Sequence, residues 1–199
     1  MNDTSLAKRD IDPSIIARPD KTVVLVGMMG VGKSTIGKRL AQRLGIEFID
    51  ADNEIEKAAG YTIPEIFEKY GEPHFRDGER RVIARLLRDR SAHVLAAGGG
   101  AFNDADTRAL VGERAISIWL TADIDILARR LARRGNRPML DVDQDLTERL
   151  RDLSELRDPY YGLADIRVDT SDGDPEDCVG VVLSELTDHG HMKVFEHRG

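Results

Sequence analysis

Apolar residues along this chain follow two rhythms. Thr22-Val23-Val24-Leu25-Val26, His93 to Ala97 and Ala115 to Leu120 are short solid apolar runs, and each predicts a buried strand. Ile46 to Ile49 and Ile166 to Asp169 predict two more. Between them the apolar positions recur at helical spacing. Ile36, Leu40, Ala41 and Leu44 share one face, and Gly45 closes that pattern as a C-cap. Asn53 to Ala59 reads as a short helix ended by Gly60. Thr62-Ile63-Pro64-Glu65 forms a capping box that opens a helix ending at Gly71. A longer helix from Pro73 carries Phe75, Val82, Ile83, Leu86 and Leu87. Asp123 to Arg134 places Ile124, Leu127 and Leu131 together. Gly135 to Asp143 is a loop. Asp145 to Arg157 carries Leu146, Leu150 and Leu153 and is ended by Pro159. Asp174-Pro175 starts a last helix with an N-cap and proline at N1. Strands alternating with helices give an α/β fold with a parallel sheet, whose ligands bind beyond the carboxyl ends of the strands.

One strand end carries a motif. Gly27-Met28-Met29-Gly30-Val31-Gly32-Lys33-Ser34-Thr35 fits G-x-x-x-x-G-K-[ST], the phosphate-cradling P-loop. A bare match is common, but here a strand precedes it and a helix succeeds it, as the motif requires. The glycines let backbone N–H groups turn inward, the helix N-terminus adds partial positive charge, and Lys33 adds a full one.

The other strand ends are also conspicuous. Asp50 and Asp52 come after the second strand, and in an extended segment their side chains share a face. Ser34 is placed to bind Mg²⁺ through its hydroxyl, with Asp50 as an oxygen ligand directly or through water. Asp52 is the candidate for an acceptor hydroxyl, against the plainer reading of a helix cap. An aspartate with a pKa of about 3.9 is a weak base at neutral pH. That suffices for phosphoryl transfer, whose loose transition state asks mostly for positioning and charge stabilisation. Arg76 opens a helix whose dipole disfavours a cation, which suggests an anionic ligand. A salt bridge to Glu79 is the plainer alternative, and both hold together if Glu79 steers the arginine. Gly98-Gly99-Gly100 suggests a backbone that a ligand approaches closely, against a simple flexible turn. Arg137, in the loop, can fold over phosphates as a lid. Arg157 is a second isolated arginine able to reach an anion, unless it only pairs with a helix C-terminus.

Composition narrows the class. The 199 residues are 41% hydrophobic and 33% charged, as in a soluble globular protein, and suit one domain. There is no apolar run of spanning length and no signal-peptide core near Met1. The single cysteine, Cys178, suits a reducing cytoplasm. A net charge of −7 disfavours general nucleic-acid affinity, despite the cluster of Arg129, Arg130, Arg133, Arg134 and Arg137. Residues 1–20 read as a mobile extension into which Ile15-Ile16 could bring a docking point, and 188–199 as a loose tail.

The ordered set of motifs resembles the shikimate kinase family over roughly Lys21 to Glu185. The matching pieces are the P-loop at 27–35, F-I-D-A-D at 48–52, F-R-D-G-E at 75–79, G-G-G-A at 98–101, Arg137-Pro138-Met139-Leu140, Arg157 with Asp158-Pro159-Tyr160-Tyr161, and R-V-D-T at 167–170. The resemblance implies a three-layer P-loop kinase fold, similar to nucleoside monophosphate kinases, with a five-stranded parallel sheet flanked by helices. It implies a kinase domain over 21–187, a substrate-binding segment at about 51–80 and a lid at about 130–143. It implies ATP-dependent phosphorylation of the shikimate 3-hydroxyl, with Mg²⁺, on the route to chorismate and aromatic amino acids. On that footing Gly30, Val31, Gly32, Lys33, Ser34 and Thr35 hold ATP phosphates, Arg130 flanks adenine, and Arg137 closes over the phosphates. Ser34 and Asp50 serve the metal. Asp52, Arg76, Arg157 and the backbone of Gly98, Gly99 and Gly100 hold shikimate, and Asp52, Lys33 and Arg137 are the catalytic set. The expected enzyme is a cytoplasmic monomer without nucleic-acid or membrane partners. The loop Ser171-Asp172-Gly173-Asp174 is acidic where some members carry a basic residue.

Three rivals remain at this point. A kinase of the same fold acting on gluconate also needs a carboxylate-holding arginine and a hydroxyl-orienting acid. A regulatory module binding ATP without turnover would lack Asp52 or Arg137, and both are present. An RNA-associated P-loop protein would bind in a salt-sensitive way.

Overall fold

A computed structural model describes residues 15–133 and 144–196. In chain order the elements are β1 (Ile15–Pro19), β2 (Thr22–Val26), α1 (Lys33–Leu44), β3 (Phe48–Asp50), α2 (Ala51–Ala59), α3 (Ile63–Asp89), β4 (Val94–Ala96), a 3-10 turn (Ala101–Asn103), α4 (Ala105–Arg114), β5 (Ala115–Thr121), α5 (Ile124–Arg133), α6 (Gln144–Tyr161), β6 (Ile166–Asp169), α7 (Pro175–Asp188) and β7 (Met192–Glu196).

Five strands form one parallel sheet in the order β3-β4-β2-β5-β6. β2 is central and every one of its residues is buried, as a strand covered on both faces must be. It pairs with β4 on one side, from Val23 opposite Val94, and with β5 on the other, from Thr22 opposite Ala115. The chain leaves β2 toward the β3–β4 edge and later returns to build β5 and β6. The carboxyl end of β2 is therefore the switch point, where an α/β sheet opens a crevice. Leu25, Leu40, Leu86, Leu95, Ile118, Leu120, Val182 and Leu186 are fully enclosed and weld the helices onto the sheet.

Several boundaries differ from the sequence pattern for local reasons. Ile46 is not in a strand, because its N–H donates to Ala41 O while Gly45, at φ 63°, donates to Gln42 O; both belong to the cap of α1. α2 starts two residues early, since Asp50 and not Asp52 is its N-cap. By contrast the break expected at Gly71 is present: at φ 77°, ψ 171° it is non-helical and divides α3 into two helical stretches, one on either side. α4 has no predicted counterpart, because it buries only Thr107 and Val111 and shows no apolar stripe. α6 runs through Pro159 to Tyr161, since a proline near a helix end costs only one hydrogen bond there. β1 and β7 form an antiparallel pair, Ile15 opposite Glu196 to Pro19 opposite Met192, across the stretches read as extension and tail.

The capping box at the start of α3 is complete. The Thr62 hydroxyl accepts from Glu65 N at 3.4 Å and Glu65 Oε2 accepts from Thr62 N at 2.8 Å. Thr62→Ala is expected to cost about 1 kcal/mol in urea denaturation. Adding Glu65→Ala should cost less than its own single effect, because the two side chains act reciprocally.

Candidate active site

The P-loop is built where β2 meets β5. A Cβ on Gly27 would lie 2.3 Å from the Leu120 carbonyl oxygen, so only glycine passes there, and its φ is 135°. Gly32, at φ 106°, is the N-cap of α1 and supplies no side-chain cap, and the first turn holds no acid. The first-turn amides are left to an external anion. Lys33 turns back over the loop and donates to Gly27 O at 2.7 Å and Met28 O at 3.0 Å. Burial of its ammonium lowers the pKa to about 8, against the opposing pull of Asp52 and Asp50, with the Arg157 charge lowering it further.

The loop is pinned from behind. The Thr170 hydroxyl lies 3.1 Å from Val31 O and 3.0 Å from Thr121 O, and Arg130 donates to Thr170 O at 2.6 Å. Arg130 is thus held at the end of β6 and does not line the cavity beside Lys33. Ser34 donates to Asp50 Oδ2 at 2.9 Å, while Asp50 Oδ1 accepts from Asp52 N at 3.1 Å. The expectation that Asp50 and Asp52 share a face of an extended segment is corrected. Asp50 ends β3 and Asp52 lies in the first turn of α2, and both nevertheless face the same cavity. Asp52 opens to that cavity, but burial by surrounding protein raises its pKa, and the neighbouring Asp50 charge raises it further; Lys33 and Arg76 oppose. Hard oxygens on Ser34 and Asp50, adjacent at the mouth of a phosphate loop, fit Mg²⁺.

The cavity is about 450 Å³ and runs from Gly30 and Lys33 past Asp52 to Gly98-Gly99-Gly100, Arg76 and Arg157. Met29, Ile63, Phe67 and Phe75 give it apolar walls, a role for Met29 that its place inside the motif did not reveal. The three glycines admit the site's own charged groups. A Cβ on Gly98 would lie 2.6 Å from Glu79 Oε1 and 3.0 Å from Asp52 Oδ1; on Gly99, 3.1 Å from Arg157 Nη1; on Gly100, 2.7 Å from Arg76 Nη1.

The two arginines differ. Arg76 donates to Glu79 Oε2 at 2.7 Å and to Glu72 Oε1 at 3.2 Å, and lies over Phe75. Burial works against its charge, but these two carboxylates prevail and raise its pKa. Glu79 is buried; desolvation raises its pKa against the Arg76 contact, and its Oε1 has no partner. Arg157 has no carboxylate partner among the described residues, and its Nε is buried and unsatisfied. Sequence reading named Glu79 only as a guide for Arg76. It gave no role to Tyr161, which is wholly buried and donates to Gly99 O. Arg137 lies outside the described residues.

A family model described as shikimate kinase matches residues 29–187. The shikimate kinase of Caulobacter vibrioides strain NA1000 is 55% identical over 166 residues, covering 83% of this chain and 82% of its own. That of Rhodopseudomonas palustris is 51% identical over 175 residues, covering 88% and 85%. Among solved structures, shikimate kinase from Acinetobacter baumannii in complex with shikimate is similar with a TM-score of 0.78 and 40% identity. The match covers 85% of this chain and 94% of that one.

Lys33 sets a pH dependence. A bound phosphate holds the proton on, so the bound-state pKa lies above the free-state value of about 8. Affinity for ATP is therefore full below pH 8 and falls up to about tenfold per unit as pH rises from there to the bound-state pKa. Calorimetric titration between pH 7 and 9.5 should show this decline; a flat profile would remove the assignment.

Proposed function

The chain belongs to the shikimate kinase family, and from that premise we propose how its residues divide the work. The enzyme transfers the γ-phosphoryl group of ATP to the 3-hydroxyl of shikimate, giving shikimate 3-phosphate and ADP. The observation that carries the division of roles is a single cavity. It begins at the P-loop lysine and ends at two arginines, with Asp52 between them.

In this reading the loop from Gly30 to Thr35 and the first-turn amides of α1 hold the ATP phosphates, and Lys33 neutralises their charge. Ser34 and Asp50 would hold Mg²⁺, which supplies charge neutralisation on the phosphates. Arg157 and Arg76 take the shikimate carboxylate. The Gly98–Gly100 backbone lies against the ring, and Ile63, Phe67 and Phe75 close its apolar side. Asp52 accepts from the acceptor hydroxyl, orients it, and takes its proton late. Its raised pKa makes it a stronger base than an ordinary aspartate, which helps proton transfer near neutral pH. Arg130 and Arg137 are assigned to adenine and to closure over the phosphates. Arg130 is held at the end of β6 by Thr170, which also pins the rear of the loop. The reading extends to a monomer acting in the cytoplasm; among the described residues no helix is long and apolar enough to cross a membrane.

ADP release should be detected with shikimate as acceptor and not with gluconate or nucleoside monophosphates. Magnesium-dependent turnover of gluconate in place of shikimate would sink the reading. Asp52→Asn should lower kcat by about 10² to 10⁴-fold with ATP affinity retained, measured by steady-state kinetics and calorimetry. Near-normal turnover in that variant would take the acceptor role away from Asp52.

A further inference from the structure

α6 carries Arg157 and Tyr161 one helical turn apart, so both side chains leave the same face. That face meets the loop after β4. The Tyr161 hydroxyl donates to Gly99 O, and its ring packs on Trp119 with centroids 5.9 Å apart. Tyr161 is wholly enclosed, and burial raises its phenol pKa to about 12, so it keeps its proton and remains a donor. The charge of the nearby Arg157 guanidinium opposes that shift. The guanidinium also sits against Gly99, where a Cβ would lie 3.1 Å from Nη1 and 3.9 Å from the Tyr161 oxygen. Arg157 Nη1 and the Tyr161 hydroxyl therefore both come up against Gly99. No carboxylate among the described residues holds Arg157, whereas Glu79 and Glu72 hold Arg76.

We infer that Tyr161 is a positioning residue for substrate binding. Its hydroxyl, anchored on the Gly99 carbonyl, stands one helical turn from Arg157 beside the same glycine and so aims the guanidinium at the substrate carboxylate. A carboxylate on Arg157 would neutralise or over-anchor it; a neutral phenol orients it and leaves its full charge to the ligand. This inference rests on the assignment of Arg157 to the shikimate carboxylate.

The test is Tyr161→Phe, which keeps the ring against Trp119 and removes the hydroxyl. With the carboxylate acceptor shikimate, KM should rise about tenfold, with kcat and the KM for ATP changed by less than about twofold. With methyl shikimate, whose carboxylate is masked, the variant and the parent should give equal KM. In an Arg157→Ala background the Tyr161→Phe change should add nothing. A loss that is the same for both acceptors, or additive with Arg157→Ala, would overturn the positioning role. If Arg157→Ala alone leaves the KM for shikimate unchanged, the carboxylate assignment fails first, whatever Tyr161 does. Should Tyr161→Phe not fold by its melting curve, Gly99→Ala presses on the same guanidinium from the other side without touching the buried ring. It should raise the KM for shikimate more than that for methyl shikimate; equal effects would again overturn the role.

Discussion

The site depends on the absence of three side chains. Gly98, Gly99 and Gly100 come after a fully buried strand, and the space their Cβ atoms would fill is taken by Asp52 and Glu79, by Arg157, and by Arg76. Charged groups from three separate elements, α2, α3 and α6, can then reach one sheet end without the backbone standing between them. The same crowding explains why the loop after β4 is glycine-rich although none of these three residues has a positive φ. Space, and not dihedral freedom, is what the glycines supply there.

Bringing those charges together has an electrostatic cost, and the molecule meets it differently at the two ends of the cavity. At the phosphate end Lys33 is shifted down and Asp52 up, both chiefly by desolvation, so each moves toward neutrality in the unliganded protein. Arriving phosphates reverse the first of these shifts. At the carboxylate end Arg76 is neutralised by Glu79 and Glu72, while Arg157 keeps an unsatisfied Nε. The cavity is thus compensated along most of its length and keeps an uncompensated cation at Arg157, where the proposed reading puts the substrate carboxylate.

The parallel sheet and most of its helices arise from short-range signals, and much of that was legible in the sequence. Val23 to Val26 announces a strand buried on both faces, and Gly27 to Thr35 announces the phosphate loop at its carboxyl end. Lys33, Asp52, Arg76, Arg157 and the glycines were legible as candidates because each lies just past a strand or near a helix end, and the fold brings them to one cavity. Tyr161 was not, and Glu79 was legible only as a guide for Arg76 and not as a buried residue of the site, for a physical reason. A glutamate three residues from an arginine looks like an ordinary surface pair, and a tyrosine beside a proline looks like packing. Only burial separates Glu79 from Glu72, and only the meeting of α6 with Gly99 gives Tyr161 a partner. α4 escaped because an amphipathic reading needs an apolar stripe and α4 has almost none. The aspartate pair was placed correctly from an incorrect geometry, since Asp52 reaches the cavity from a helical turn and not from a pleat.

The contrast between the two arginines bears on how substrate affinity is divided. Arg76 already commits its donors to Glu79 and Glu72, and a carboxylate arriving there competes with both or shares the remaining edge of the guanidinium. Arg157 has no such competitor among the described residues, and its Nε is buried without a partner. A charge-assisted hydrogen bond to an unpaired cation gains more than one to a cation that must first release a partner. On the proposed reading Arg157 contributes the larger share of carboxylate affinity, and Arg76, with Glu79 behind it, mainly defines where the carboxylate stops. A guanidinium fully paired inside the protein would make the fold more stable and the substrate site weaker.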